Sequence, residues 1–162
     1  MIVLRAALLS LVVAPSVALA EETPASALVR AHQSGDRLVL TSYIGTLPEE
    51  RLIALLQTGS LPEKLAVLRG LAGARDPLAL LSPTAQVMTS RDPLLAPAAA
   101  VALWTIVTRL RPDALGEHTP DEITNALAPA LALADDPRVR PDLRATASSL
   151  RASVHALART AP

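Results

Sequence analysis

Apolar and polar positions along this chain recur at helical spacing. Between Asp92 and Arg109 the stretch PLLAPAAAVALWTIVT carries no charge, and its apolar side chains point in every direction. Such a pattern predicts a helix buried on most sides, running to Arg111, with Trp104 as a core residue. The segments around it are two-faced. Leu52, Leu55 and Leu56, then Leu65, Leu68 and Leu71, form apolar stripes at spacings of 3 and 4, each the buried face of an amphipathic helix. Ile123, Leu127, Leu131 and Ala134 mark a third stripe, in which Pro129 should bend the helix without ending it, because the apolar spacing continues past it. Leu143, Leu150, Val154 and Leu157 mark a fourth.

Helix starts are written into the sequence between these stripes. Thr46-Leu47-Pro48-Glu49, Ser60-Leu61-Pro62-Glu63 and Thr119-Pro120-Asp121-Glu122 each place a hydroxyl three residues before an acid, the pattern of a capping box. The first two starts lie so close that they require a short helix, a turn near Gly59 and a second helix packed antiparallel to the first. Gly70 and Gly73-Ala74 then loosen the end of that second helix. Asp76-Pro77 and Ser82-Pro83 both read as a cap followed by a first-position Pro. The segment to Ser90 is therefore either one helix broken at Pro83 or a turn and then a helix, with Val87 and Met88 buried. Upstream, Thr23 to Gly35 reads as a short, loosely held helix. Asp36 to Thr46 is open between strand and helix, and helix is favoured because a lone strand has no partner for its backbone.

The most specific pattern is a repeat. Asp92-Pro93-Leu94-Leu95-Ala96-Pro97 and Asp136-Pro137-Arg138-Val139-Arg140-Pro141 share the form Asp-Pro-x-aliphatic-x-Pro, 44 residues apart. Superposing them sets Leu143 on Ala99, Ala147 on Leu103, Leu150 on Ile106 and Val154 on Leu110. A unit of helix, Asp-Pro turn and helix with a period in the forties resembles HEAT or armadillo-type repeats. The resemblance covers about Thr46 to Ala158, and Val139-Arg140 fits the Val-Arg that often follows the turn, whereas Leu95-Ala96 does not. It implies an all-α, short HEAT-like solenoid of about three antiparallel helix pairs, with an irregular helical bundle as the alternative. The same comparison moves the start of the central helix to near Pro97 and makes it the second helix of the penultimate pair.

Composition agrees with helix and adds an address. Ala and Leu make up more than a third of the chain, Phe is absent, and Trp104 and Tyr43 are the only aromatics. Good helix formers thus dominate, while strand formers are scarce. Met1 to Arg5 is a short positive start, Ala6 to Val17 an apolar run broken by Pro15, and Ala18-Leu19-Ala20 a small-residue cleavage site. Residues 1–20 are therefore expected to be a signal peptide cleaved after Ala20, directing a periplasmic or secreted protein. No transmembrane helix is expected after cleavage, since the run is shorter than the roughly 20 residues that span a bilayer. Residues 21–45 form an N-terminal helical extension and 46–162 the repeat domain.

Few chemistries remain. The chain has no Cys, which excludes disulfides, thiolate catalysis and Cys-ligated metals. Charges balance at a formal net of +0, so no nucleic-acid partner is expected. His32, His118 and His155 fall in separate elements and do not read as a metal site. Glu49-Glu50 and Asp135-Asp136 lie at helix starts or turns, where the helix dipole already accounts for negative charge. There is neither a Gly-x-Ser-x-Gly elbow nor a Gly-rich phosphate loop. The expectation is a non-enzymatic protein without a cofactor. One surface stands out: Arg140, Arg144, Arg151, His155 and Arg159 step along one face of the last helix, on a different side from its apolar stripe. This basic face could meet an acidic protein or an anionic surface; its bland reading is a solvated outer face that complements the helix C-terminus. The leading functional expectation is a scaffold that binds an unidentified protein partner, and the second is an anion- or membrane-surface-binding module using that Arg stripe.

Overall fold

A computed structural model describes residues 24–160, which are all-α, with no strand among the described residues. The expected signal peptide and its cleavage site lie outside them. Among the described residues eight α-helices follow one another: α1 (Pro24–Gln33), α2 (Arg37–Ile44), α3 (Glu49–Thr58), α4 (Leu61–Gly70), α5 (Leu81–Met88), α6 (Leu95–Val107), α7 (Pro120–Ala132) and α8 (Pro141–Thr160). Short 3₁₀ turns follow α4 at Leu71–Gly73 and α7 at Leu133–Asp135, and a third lies at Pro112–Ala114.

Local chemistry explains most of the starts. Asp36 resolves the ambiguous segment as helix, its carboxylate accepting from Leu38 N at 2.8 Å and Val39 N at 3.3 Å. Asp76, Asp92 and Asp136 act alike before their prolines. Asp76 Oδ1 accepts from Leu78 N at 2.9 Å, Asp92 Oδ1 from Leu94 N at 2.8 Å and Leu95 N at 3.0 Å, and Asp136 Oδ1 from Arg138 N at 2.8 Å. Because Asp92 reaches Leu95, α6 starts there, two residues before the expected Pro97. Pro83 and Pro97 fall third in their helices, where the missing N–H has no intrahelical acceptor to lose. The segment from Asp76 is thus a turn and then a helix. Pro129 lies inside α7, which continues past it.

Two of the three capping boxes form. Glu63 accepts from Ser60 N at 2.7 Å, and Glu122 from Thr119 N at 2.8 Å while Thr119 Oγ1 accepts from Glu122 N at 3.2 Å. Thr46 does otherwise: its hydroxyl donates to Tyr43 O at 2.7 Å, finishing α2, and Pro48 caps α3 without a side-chain bond. Thr46 therefore serves the end of α2 and not the start of α3.

The helices bury one continuous core, from Leu28 and Ala31 on α1 to Leu157 on α8. α1 is therefore tied down by Leu28, which is 0% exposed, and it packs on α4, unlike the loosely held element expected. α3 packs with α4, α5 with α6 and α7 with α8, each first helix following directly into the second. Between these pairs, α3 meets α5 and α5 meets α7, while α4 meets α6 and α6 meets α8. Of the residues the repeat superposes, Ala99, Leu103 and Ile106 on α6 and Leu143, Ala147, Leu150 and Val154 on α8 are buried, whereas Leu110, the counterpart of Val154, is half-buried and lies beyond α6. Of the expected core of α5, Met88 is buried and Val87 half-buried, and Leu80, Leu81 and Ala85 join them.

Gly70 and Gly73 fall where α4 ends and gives way to a 3₁₀ turn, and they have a second role. A Cβ on Gly70 would stand 2.6 Å from Ile44 Cγ1 and 3.1 Å from Leu40 Cγ, and one on Gly73 would collide with the Thr41 carbonyl oxygen. α2 lies directly against these glycines, so they are points of close approach.

Candidate functional site

α6 is buried on most of its surface but leaves one side open. Leu95, Ala96, Ala99, Ala100, Ala102, Leu103, Ile106 and Val107 are buried, whereas Leu94 is 56%, Val101 65% and Trp104 41% exposed. Trp104 is therefore at the surface, against the expectation of a core Trp. Its neighbours at helical spacing, Val101 and Thr108, are also exposed, and among the described residues no helix covers that side. Periodicity could not reveal this, because an uncharged helix reads as buried all round whichever side its neighbours leave empty.

Two adjoining clefts follow this helix. The first, about 600 Å³, has an apolar floor of Leu40, Leu65, Leu68, Leu94 and Val101, with Arg37, Arg69 and His32 on its walls. The second, about 500 Å³, lies between Arg75, Asp76 and Pro77 on one side and Ile106, Arg109 and the Leu115–His118 loop on the other. Both are lined by Ala72 and Thr105, so together they make one groove along α6.

Electrostatics differ between groove and rim. Burial, reinforced by the charge of Arg69, holds His32 below the ordinary His range. Asp36 and Asp76 each already accept backbone amides, and Asp76 Oδ2 also faces His118 Nε2 at 3.4 Å. His118 lies 4.0 Å from Glu122 as well, a pairing that the i, i+4 spacing of these two residues could have signalled.

The basic face of α8 is partly neutralised. Arg151 donates to Asp135 Oδ2 at 2.6 Å and Oδ1 at 3.1 Å, and to Leu131 O at 2.7 Å; Arg140 donates to Asp142 Oδ2 at 2.8 Å. The hydrogen bond from Arg151 holds Asp135 below the usual carboxylate range. Arg144 is half-buried and its Nε has no partner, while His155 and Arg159 are exposed. Sequence spacing located the stripe, but Asp135 lies sixteen residues before Arg151, and only the packing of α8 against the Leu133–Asp135 turn brings them together.

Among the described residues no three His, Cys, Asp or Glu side chains gather as a metal site, and no helix is long and apolar enough to cross a membrane. His32, His118 and His155 stay in separate places. Comparison with protein-family models, with curated proteins and with solved structures found no match.

Proposed function

We propose that this protein is an exported, non-enzymatic helical-repeat scaffold that binds a protein partner along α6. Export rests on the Met1 to Ala20 pattern. The repeat reading draws support from the Asp-Pro turns and from the order of packing, in which first helices neighbour first helices and second helices neighbour second helices. The observation that carries the binding site is the groove itself. Leu94, just before α6, and Val101 on it are exposed and line an apolar cleft, with Trp104 exposed on the same helix outside it, and a clustered apolar surface of this kind marks an interaction site.

The alternative, an anion- or membrane-surface module on α8, has less free charge than its spacing implied, because Arg140 and Arg151 are held by acids of the same chain. Affinity purification from the export compartment separates the two readings. A partner protein recovered with the native chain and lost with Val101→Glu supports the scaffold; Val101 is exposed enough for that change to leave folding intact. Recovery unchanged by Val101→Glu and Leu94→Glu refutes the groove. Retention on heparin or anionic vesicles, weakened by Arg144→Gln with Arg151→Gln, would favour α8 instead.

A further inference from the structure

The charges lining the α6 groove are unequal in availability. Its acids are largely committed: Asp36 caps α2, and Asp76 holds its own turn and faces His118. Glu117 is the remaining acid of the lining. Of the cations, Arg75 donates to Gly45 O at 3.1 Å, whereas Arg37, Arg69 and Arg109 are exposed and form no ion pair among the described residues. Arg37 and Arg69 line the first cleft and Arg109 the second, so positive charge is distributed along the groove and not gathered at one end.

We propose that the groove takes an acidic amphipathic helix of a partner protein, with apolar side chains on the floor beside Leu94 and Val101 and carboxylates meeting Arg37, Arg69 and Arg109. This rests on the reading of the groove as a docking surface and names the chemistry of its occupant. α6 is thirteen residues long, about 20 Å at 1.5 Å per residue, which matches three to four turns of a helix laid along it. An extended segment fits less well, because the described residues offer no sheet edge to pair its backbone, whereas a helix satisfies its own. A single-headed amphiphile would use one cationic end and leave the other unmatched.

The test is a displayed library of sixteen-residue helical peptides, with Leu, Ile, Val or Ala at apolar positions and Glu, Gln or Lys in equal proportion at the flanking ones, selected on the purified protein. Expected is a Glu-over-Lys excess of about tenfold among the selected peptides. An enriched peptide should lose about tenfold in affinity for the Arg37→Gln/Arg69→Gln/Arg109→Gln variant, the sum of three modest surface pairs. A control of equal charge, Arg51→Gln/Arg91→Gln/Arg138→Gln, exposed and outside both clefts, should bind as the native protein does. Circular dichroism and Tm establish that both variants are folded. Peptides that bind without a preference for Glu, or whose preference survives in the groove variant, overturn the acidic occupant while leaving the groove a docking surface. Equal weakening by the control variant overturns it in favour of diffuse attraction. If no peptide is enriched and a fluorescent fatty acid binds instead and is lost with Val101→Glu, the occupant is a lipid and the proposal fails. Enrichment of neither overturns it too, and the purification with α6 variants then judges the scaffold reading separately.

Discussion

Replacing Gly73 by Ala should separate α2 from the body of the protein, and the size of the effect follows from what the added carbon meets. Its nearest neighbours are the carbonyl oxygen, carbonyl carbon and Cα of Thr41, all backbone. No rotamer change relieves that overlap, so α2 as a whole must move. Overpacking of this kind costs about 1–3 kcal/mol. The upper bound is complete detachment of α2, which exposes Leu40 and Ile44, now 4% and 0% exposed, at about 1.5–3 kcal/mol each. The expected loss is therefore about 2–5 kcal/mol, and at about 2–4 °C per kcal/mol Tm should fall by roughly 4–20 °C. Gly70→Ala should cost less, since it meets the side chains of Ile44 and Leu40, and replacing Gly in a helix recovers up to about 1 kcal/mol. Ala72→Ser, at an exposed site between the two, should stay within about 0.5 kcal/mol. Urea and thermal unfolding followed by circular dichroism measure all three. A Gly73→Ala protein as stable as the native one would refute the close approach of α2 and the shape of the groove wall it forms.

Two threonines with the same sequence signature should behave differently: Thr119→Ala should cost about 1 kcal/mol through loss of its cap, and Thr46→Ala clearly less, with equal losses in urea unfolding contradicting the assignment. Thr84 is 0% exposed and its hydroxyl has no hydrogen-bond partner among the described residues, so Thr84→Val should stabilise by about 0.5–2 kcal/mol; a lowered urea midpoint would reveal a bond to that hydroxyl. His32 has a folded-state pKa below the ordinary value of about 6.5, so the native state binds fewer protons than the unfolded state as pH falls. Its stabilising contribution is full above about pH 6.5 and is lost as pH drops through the folded value. His32→Gln should flatten the stability profile below pH 6.5, and an unchanged slope would count against a desolvated His32.

Legibility followed the range of the interactions. The turns at Asp76, Asp92 and Asp136 and the caps at Ser60 and Thr119 involve groups within three residues of each other, and spacing alone located them. The site was harder to read. Trp104 looked buried because its helix is uncharged, but exposure depends on whether another helix arrives. The Arg stripe looked available because no acid follows Asp142, but Asp135 comes from the preceding turn. Thr46 matched a start motif and was recruited by the helix before it.

The sequence by itself determined helix as the dominant element, the places where most helices begin, and the buried stripes of α3, α7 and α8, because propensity, capping and a 3.6-residue period act over a turn or two. Only the tertiary structure decided which helices lie side by side, where glycines let α2 approach, which cations are already paired and which side of α6 stays uncovered. Those outcomes depend on contacts between residues tens of positions apart, and the groove is the space such contacts leave open.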